Sequence, residues 1–146
     1  MKLLRGYLAH PLLNRVTVRK WELNFEKRTG IDLINPFYDI ARDDGETDYE
    51  AGAKGNYEHC DHKEIVDRDL AAILGSEFIV AFVTGQRSYG TIMEICYAYS
   101  MDKPVFIICE NGYENHPWLV YHSNKIFKST AEFRKYIQGV NDGLTT

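Results

Sequence analysis

A chain of 146 residues with a hydrophobic share of 45% is long enough for one domain, and apolar enough to fill one continuous core. Its 17 lysines and arginines stand against 21 aspartates and glutamates, a net charge of -4 with no basic block. That balance excludes a protein that tracks a long nucleic acid backbone and leaves room for a single small phosphate.

The three cysteines, Cys60, Cys96 and Cys109, are odd in number and widely spaced, so a disulfide framework is excluded and a reducing, cytoplasmic compartment is expected. The apolar run at the start of the chain is broken by Arg5, His10 and Pro11. It is too short for a signal peptide or a membrane span, and no membrane partner is expected.

Residues 3 to 9 read as a buried strand, after which Pro11 and Asn14 supply a turn and a helix cap. Val18, Trp21 and Phe25 recur at helical spacing to about residue 28, where Gly30 follows as a C-terminal glycine. Residues 31 to 35 form a second short strand closed by Pro36. The stretch from about 37 to 59 has no sustained period and reads as a long loop within one domain spanning 1–146. Ile65, Val66, Leu70, Ile73 and Leu74 make the next helical stripe, and residues 77 to 83 are a fully buried strand. A glycine-containing turn from Thr84 to Gly90 leads into a helix from about Thr91 to Met101. Val105 to Cys109 is a strand, Lys125 to Phe127 a short one, and Ala131 to Gln138 a final helix.

Buried strands that alternate with amphipathic helices need crossover connections, which predicts an α/β three-layer sandwich around a five-stranded parallel sheet in flavodoxin-like order. Ligands of such sheets bind beyond the carboxyl ends of the strands, where the winding reverses. Tyr7, Asp69 and the segment from Ser88 to Glu94 are the groups expected there. On a helical wheel with Ile65 at zero, the apolar stripe centres near roughly 100°, Asp69 lies near roughly 40° and Asp67 near roughly 200°. Asp69 therefore flanks the buried face and Asp67 points to water. Glu94 lies in the first turn of its expected helix, where the free amides and the helix dipole favour an ionised carboxylate. The wheel sets it opposite the Ile92, Ile95, Cys96 and Tyr99 stripe, so taken alone it reads as a solvated acid.

The strand Gly6-Tyr7-Leu8-Ala9, the pair Asp69-Leu70, and above all the run from Ser88 through Ala98 followed by Lys103-Pro104-Val105, resemble the nucleoside 2-deoxyribosyltransferase superfamily, which also contains hydrolases of nucleoside 5'-monophosphates. The resemblance covers most of the chain. It implies cleavage of an N-glycosidic bond without a cofactor or a metal. Glu94 would attack the anomeric carbon, Tyr7 would orient Glu94, and Asp69 would protonate the departing base. Two carboxyl groups, one ionised and one holding a proton, are what a retaining displacement at an anomeric carbon requires.

Six residues before the nucleophile, the transferases of this superfamily typically carry an aspartate that meets the sugar's 5'-hydroxyl. The monophosphate hydrolases carry a serine, as Ser88 stands here. Arg87 beside it adds charge, and the amides of Gly90 and Thr91 open a helix in the manner of an anion site. Ser88 reads equally well as a helix cap. The segment from Trp118 to Phe127 resembles the one that family members lend to a neighbouring subunit, which makes Ser123 and Asn124 candidate sugar or phosphate contacts and a homodimer or larger homo-oligomer the expected assembly.

Phe37, Tyr38, Tyr49 and Tyr57 in the long loop are candidates to stack on a base, though such residues more often pin a loop to the surface. His59, Cys60 and His62 lack the spacing of a zinc site. Two other readings stand beside the monophosphate hydrolase: a transferase acting on free deoxynucleosides, and a nucleotide-binding sensor without turnover. The joint presence of Tyr7, Asp69 and Glu94 speaks against the sensor, which needs neither nucleophile nor acid.

Overall fold

The computed structural model describes residues 2–40 and 45–144. Strand β1 (Arg5–Ala9) is followed by a 3-10 turn (Leu12–Asn14) and helix α1 (Arg15–Thr29), then β2 (Asp32–Ile34), α2 (Tyr49–Ala53) and α3 (His62–Leu74). The second half runs β3 (Phe78–Phe82), α4 (Tyr89–Ser100), β4 (Val105–Ile108), α5 (Pro117–Tyr121), β5 (Lys125–Phe127) and α6 (Thr130–Asn141).

The five strands pair in parallel in the order β2-β1-β3-β4-β5, the expected flavodoxin-like winding. Because β2 lies on one side of β1 and all later strands on the other, the winding reverses between β1 and β3. That reversal opens a crevice at the carboxyl ends of those two strands.

Every residue of β3 is buried, as expected of a strand covered on both faces. One face packs Val18 and Phe25 of α1 with Phe133 and Ile137 of α6, and Phe25 stacks on Phe133 at 5.5 Å. The opposite face packs Ile73 of α3 with Ile95 and Ala98 of α4. Gly6 in β1 makes the central pairing possible: a Cβ there would lie 2.3 Å from the ring of Phe78 on the adjacent strand.

Local chemistry moved several expected boundaries. Gly30 ends α1 at φ 73, as its position predicts. Asn14 holds the N-cap position of α1 but its side chain makes no cap hydrogen bond; its Oδ1 accepts from the Thr84 hydroxyl at 2.8 Å and ties the turn after β1 to the turn after β3. Helix α4 starts at Tyr89, earlier than expected, because the Ser88 Oγ accepts from the Thr91 amide and so extends the first turn. Two short helices were not expected. Asp48 caps α2 inside the long loop, and Pro117 with a His116 cap starts α5; five residues are too few to show a period. Residues 41–44 of that loop lie outside the described residues.

Candidate active site

A cleft of about 780 Å³ opens at the β1–β3 reversal, a size suited to a nucleotide-like ligand. Asp69, Ser88, Gly90, Thr91, Arg87 and Glu94 all line it, so the expected site residues from α3 and α4 do converge. Tyr7 is fully buried and does not line the cleft; its hydroxyl donates to Oε2 of Glu94, which does. The tyrosine on β1 and the glutamate on α4 meet because β1 and β3 are neighbours and α4 follows β3 directly.

The wheel reading of Glu94 needs correction. The buried side of α4 is Thr91, Ile95 and Ala98, and Glu94 is partly buried between them, while Ile92, Cys96 and Tyr99 are exposed. Three of the four residues of the apolar stripe therefore face away from the sheet, and only Ile95 packs against it. With α4 beginning at Tyr89, Glu94 stands in the second turn rather than the first, where the free amides no longer act directly on it.

Burial pushes the Glu94 carboxyl up to about 8; the Tyr7 hydrogen bond and Arg68 oppose the shift, and the charge of Asp69 adds to it. Desolvation, not the helix dipole, sets its state. Burial and the nearby Glu94 charge likewise hold the Tyr7 phenol well above its ordinary value, so it remains a donor.

A cation stands directly beside Asp69. Nε and Nη2 of Arg68 donate to Asp69 Oδ1 at 3.1 and 2.9 Å, and Nη2 also donates to Glu46 at 2.8 Å. Glu46 comes from the long loop and lines the cleft, so this ion pair fixes the loop to α3 beside the acid. Asp67, as the wheel indicated, is exposed and pairs with Lys63 on the outside of α3.

Ser88 is a helix cap: its Oγ accepts from the Thr91 amide at 3.2 Å and lies 2.6 Å from the Thr91 hydroxyl. It nonetheless lines the cleft beside the exposed Arg87. The Thr91 amide is engaged in that cap, so of the two amides expected to form an anion site it is already committed. Ser123 and Asn124 are not brought to the cleft of their own chain. Asn124 lies at the amino end of β5, opposite the cleft rim, where its Oδ1 accepts from the Val105 amide; Ser123 donates to the Leu119 carbonyl.

Sequence reasoning missed Arg68, Glu46 and His10. Arg68 and Glu46 carry no periodic signal, and only the fold brings the loop onto α3. His10 is buried on the cleft wall, with Nδ1 3.0 Å from the Pro11 carbonyl and Nε2 3.2 Å from Asn35 Oδ1, and burial lowers its pKa. Asn35 in turn donates to Glu22, whose carboxyl burial pushes up to about 7. Of the loop aromatics, Phe37 and Tyr57 line the cleft, whereas Tyr49 pins the loop by donating to the Phe37 carbonyl and Tyr38 lies under Arg19. The imidazoles of His59 and His62 bond to the carbonyls of Gly45 and Tyr57. Among the described residues, no helix is long and apolar enough to cross a membrane.

Comparison with known proteins bears on this geometry. The family model described as nucleoside 2-deoxyribosyltransferase matches residues 7–133. No curated protein matches the sequence. Among solved structures, the 2-deoxyribosyltransferase of Bacillus psychrosaccharolyticus is similar with a TM-score of 0.65 at 16% identity, over 90% of this chain and 91% of that one. The CMP N-glycosidase BcmB of Clostridium botulinum is similar with a TM-score of 0.55 at 20% identity, over 90% and 95%. The 2-desoxiribosyltransferase of Leishmania mexicana gives 0.60 at 15% identity, over 90% and 97%. At these identities the solved structures establish a shared fold. The family match extends from the buried tyrosine through the acid on α3 and the glutamate on α4, and the chain belongs to the nucleoside 2-deoxyribosyltransferase family, enzymes that act on N-glycosyl compounds.

Proposed function

We propose that this protein cleaves the N-glycosidic bond of a nucleoside or deoxynucleoside 5'-monophosphate through a glycosyl ester on Glu94. The observation that carries the reading is the Tyr7–Glu94 hydrogen bond at the floor of a cleft whose wall holds Asp69. A nucleophile held by one donor, with a second carboxyl group across the cavity, matches the needs of double displacement at C1'. Glu94 attacks C1' as the bond to the base breaks, and the base leaves with a proton from Asp69. Water then attacks C1', the ester opens, and the proton of that water returns to Asp69.

Ser88 favours a phosphate over a bare 5'-hydroxyl, because a hydroxyl at this point adds no negative charge and Arg87 stands next to it. The free-nucleoside transferase is the second reading, favoured by the similarity to two 2-deoxyribosyltransferase folds.

The outer surface of α4 and α5 exposes Tyr89 (73%), Ile92 (49%), Trp118 (71%) and Tyr121 (67%), an apolar face of the kind that a second copy of the chain covers. A homo-oligomer formed there would bring a partner's chain near each cleft, the role inferred for Ser123 and Asn124. The three cysteines, odd in number and widely spaced, fit a reducing, cytoplasmic setting.

The test is a panel of nucleosides and 5'-monophosphates assayed for released base, with and without an added acceptor base. Release from monophosphates without an acceptor, abolished in Glu94→Ala at unchanged fold, supports the reading. Exchange on free deoxynucleosides with no action on monophosphates replaces it with the transferase, and saturable binding without release replaces it with the sensor.

A further inference from the structure

We propose that in the free protein the proton shared by the two catalytic carboxyls resides on Glu94 and not on Asp69, and that Arg68 is the positioning residue that holds it there. The catalytic consequence rests on the N-glycosidase reading; the location of the proton does not.

The geometry is asymmetric. Asp69 receives two hydrogen bonds from the Arg68 guanidinium on a single oxygen, and an opposite charge in direct contact favours a carboxylate. Glu94 receives the Tyr7 phenol, a neutral donor, and among the described residues no lysine, arginine or histidine forms an ion pair with it. Both side chains are partly buried, so the cation and not exposure distinguishes them. Two carboxylates across one cleft resist double ionisation, so at neutral pH the remaining proton goes to the one without a cation. The direction and cause found for Glu94, burial opposed weakly by Tyr7 and Arg68, agree with this placement. Glu46 bonds to the same guanidinium, and His10, Lys54, Tyr57, Cys60, His62, Arg87 and Tyr89 are the other titratable groups that line the cleft among the described residues.

Chemistry needs the opposite arrangement: an ionised Glu94 to form the bond to C1' and a protonated Asp69 to give its proton to the base. One proton must therefore pass from Glu94 to Asp69 before the C1'–N bond breaks, with no net gain or loss. The productive form is then a minor tautomer of the singly protonated pair, populated as substrate enters and Arg68 is drawn off Asp69. After hydrolysis the proton taken from water by Asp69 restores the pair.

Infrared difference spectra of the free protein, titrated from neutral to strongly alkaline pH, test where the proton lies. The carbonyl stretch of a protonated carboxyl is expected to titrate in the wild type, to vanish in Glu94→Gln and to persist in Asp69→Asn. Glu22, also raised, contributes equally to all three proteins and cancels in the comparison. A band lost in Asp69→Asn and kept in Glu94→Gln, or kept in both, overturns the proposal, whatever substrate the enzyme takes.

Arg68→Gln tests the control. The alkaline limb of kcat/KM is expected to move up by about one pH unit, the size of effect an adjacent opposite charge has on a carboxyl. An unmoved limb, with lower kcat/KM throughout, would mean that Arg68 merely holds the loop through Glu46. Absence of any base release from the wild type would refute the functional reading and leave the spectroscopic result standing.

Discussion

Tyr7 and Glu94, separated by 87 residues in sequence, form one hydrogen-bonded unit at the cleft, with the phenol donating to Oε2 of the carboxyl group. Tyr7 is shielded from solvent and absent from the cleft lining, so in the proposed reaction its only route to the substrate is through Glu94. In Tyr7→Phe the ring packing is kept and the donor is lost. A hydrogen bond to a charged group is worth about 1.5–3 kcal/mol, which corresponds to a fall in kcat of roughly 10- to 100-fold with KM little changed. Because that bond opposes the upward shift of Glu94, the alkaline limb of the pH profile should also move higher. Steady-state kinetics over pH, with a thermal melt to confirm folding, check both; a raised KM at constant kcat would place Tyr7 in binding instead.

The buried carboxyl of Glu94 has a cost in stability whose sign follows from its shift. Its group titrates at about 8 in the folded chain against 4.5 for an ordinary glutamate, so between those values the folded state binds more protons than the unfolded one. Stability is greatest below the lower value and declines as pH rises through the upper one. Glu94→Gln removes the ionisation and retains the shape. The variant is expected to be more stable than wild type at pH about 8–9, by roughly 4–5 kcal/mol, the full equivalent of the shift, and to lose that advantage in mild acid. Melting curves across this range decide the matter; a variant less stable at every pH would show that the carboxylate is well solvated.

The parallel order and the reversal point were legible in the sequence because they follow from apolar periodicity, whereas the grouping of Tyr7, Asp69 and Glu94 rested on the family resemblance; the fold sets Asp69 and Glu94 on one cleft with Tyr7 bonded to Glu94. The orientation of α4 was not legible. A helix whose solvent side carries Tyr89, Ile92, Met93 and Tyr99 has no clear amphipathic contrast, so a wheel picks the wrong face. Arg68 was equally silent, since its neighbour Asp69 attracted the functional reading and its second partner, Glu46, lies 22 residues away in a loop without period. Contacts that loops make across space leave no trace in spacing along the chain.

That misread face yields a prediction of its own. If the exposed side of α4 is covered by a second copy, Ile92→Glu places a charge at the centre of the contact without touching the buried Thr91, Ile95 and Ala98. A buried unpaired charge costs several kcal/mol, enough to split a moderately stable assembly. Analytical ultracentrifugation should show a smaller species, and activity should fall with dissociation and recover at high protein concentration. A wild type that sediments as a monomer and is fully active would remove the assembly from the account.

Ser88 offers a test that separates substrate recognition from folding. Its Oγ caps α4 by accepting from the Thr91 amide, and aspartate is as effective at a helix N-cap as serine, with a further gain from the helix dipole. Ser88→Asp should therefore melt at or above the wild-type temperature, whereas Ser88→Ala should lose about 1 kcal/mol. Against that intact background, the new carboxylate faces a cleft that already holds Asp69, Glu46 and Glu94. A phosphate entering there meets added repulsion, while a free nucleoside's 5'-hydroxyl gains an acceptor. The ratio of kcat/KM for monophosphate over nucleoside should drop by roughly 10- to 100-fold, the equivalent of about 1.4–2.7 kcal/mol. The discriminating measurement is the ratio and not either constant alone, because a disturbed helix start would depress both together. Were the ratio to stay constant in a fully folded variant, the 5' end of the substrate would have to lie elsewhere in the cleft, and the preference for monophosphates would lose its support.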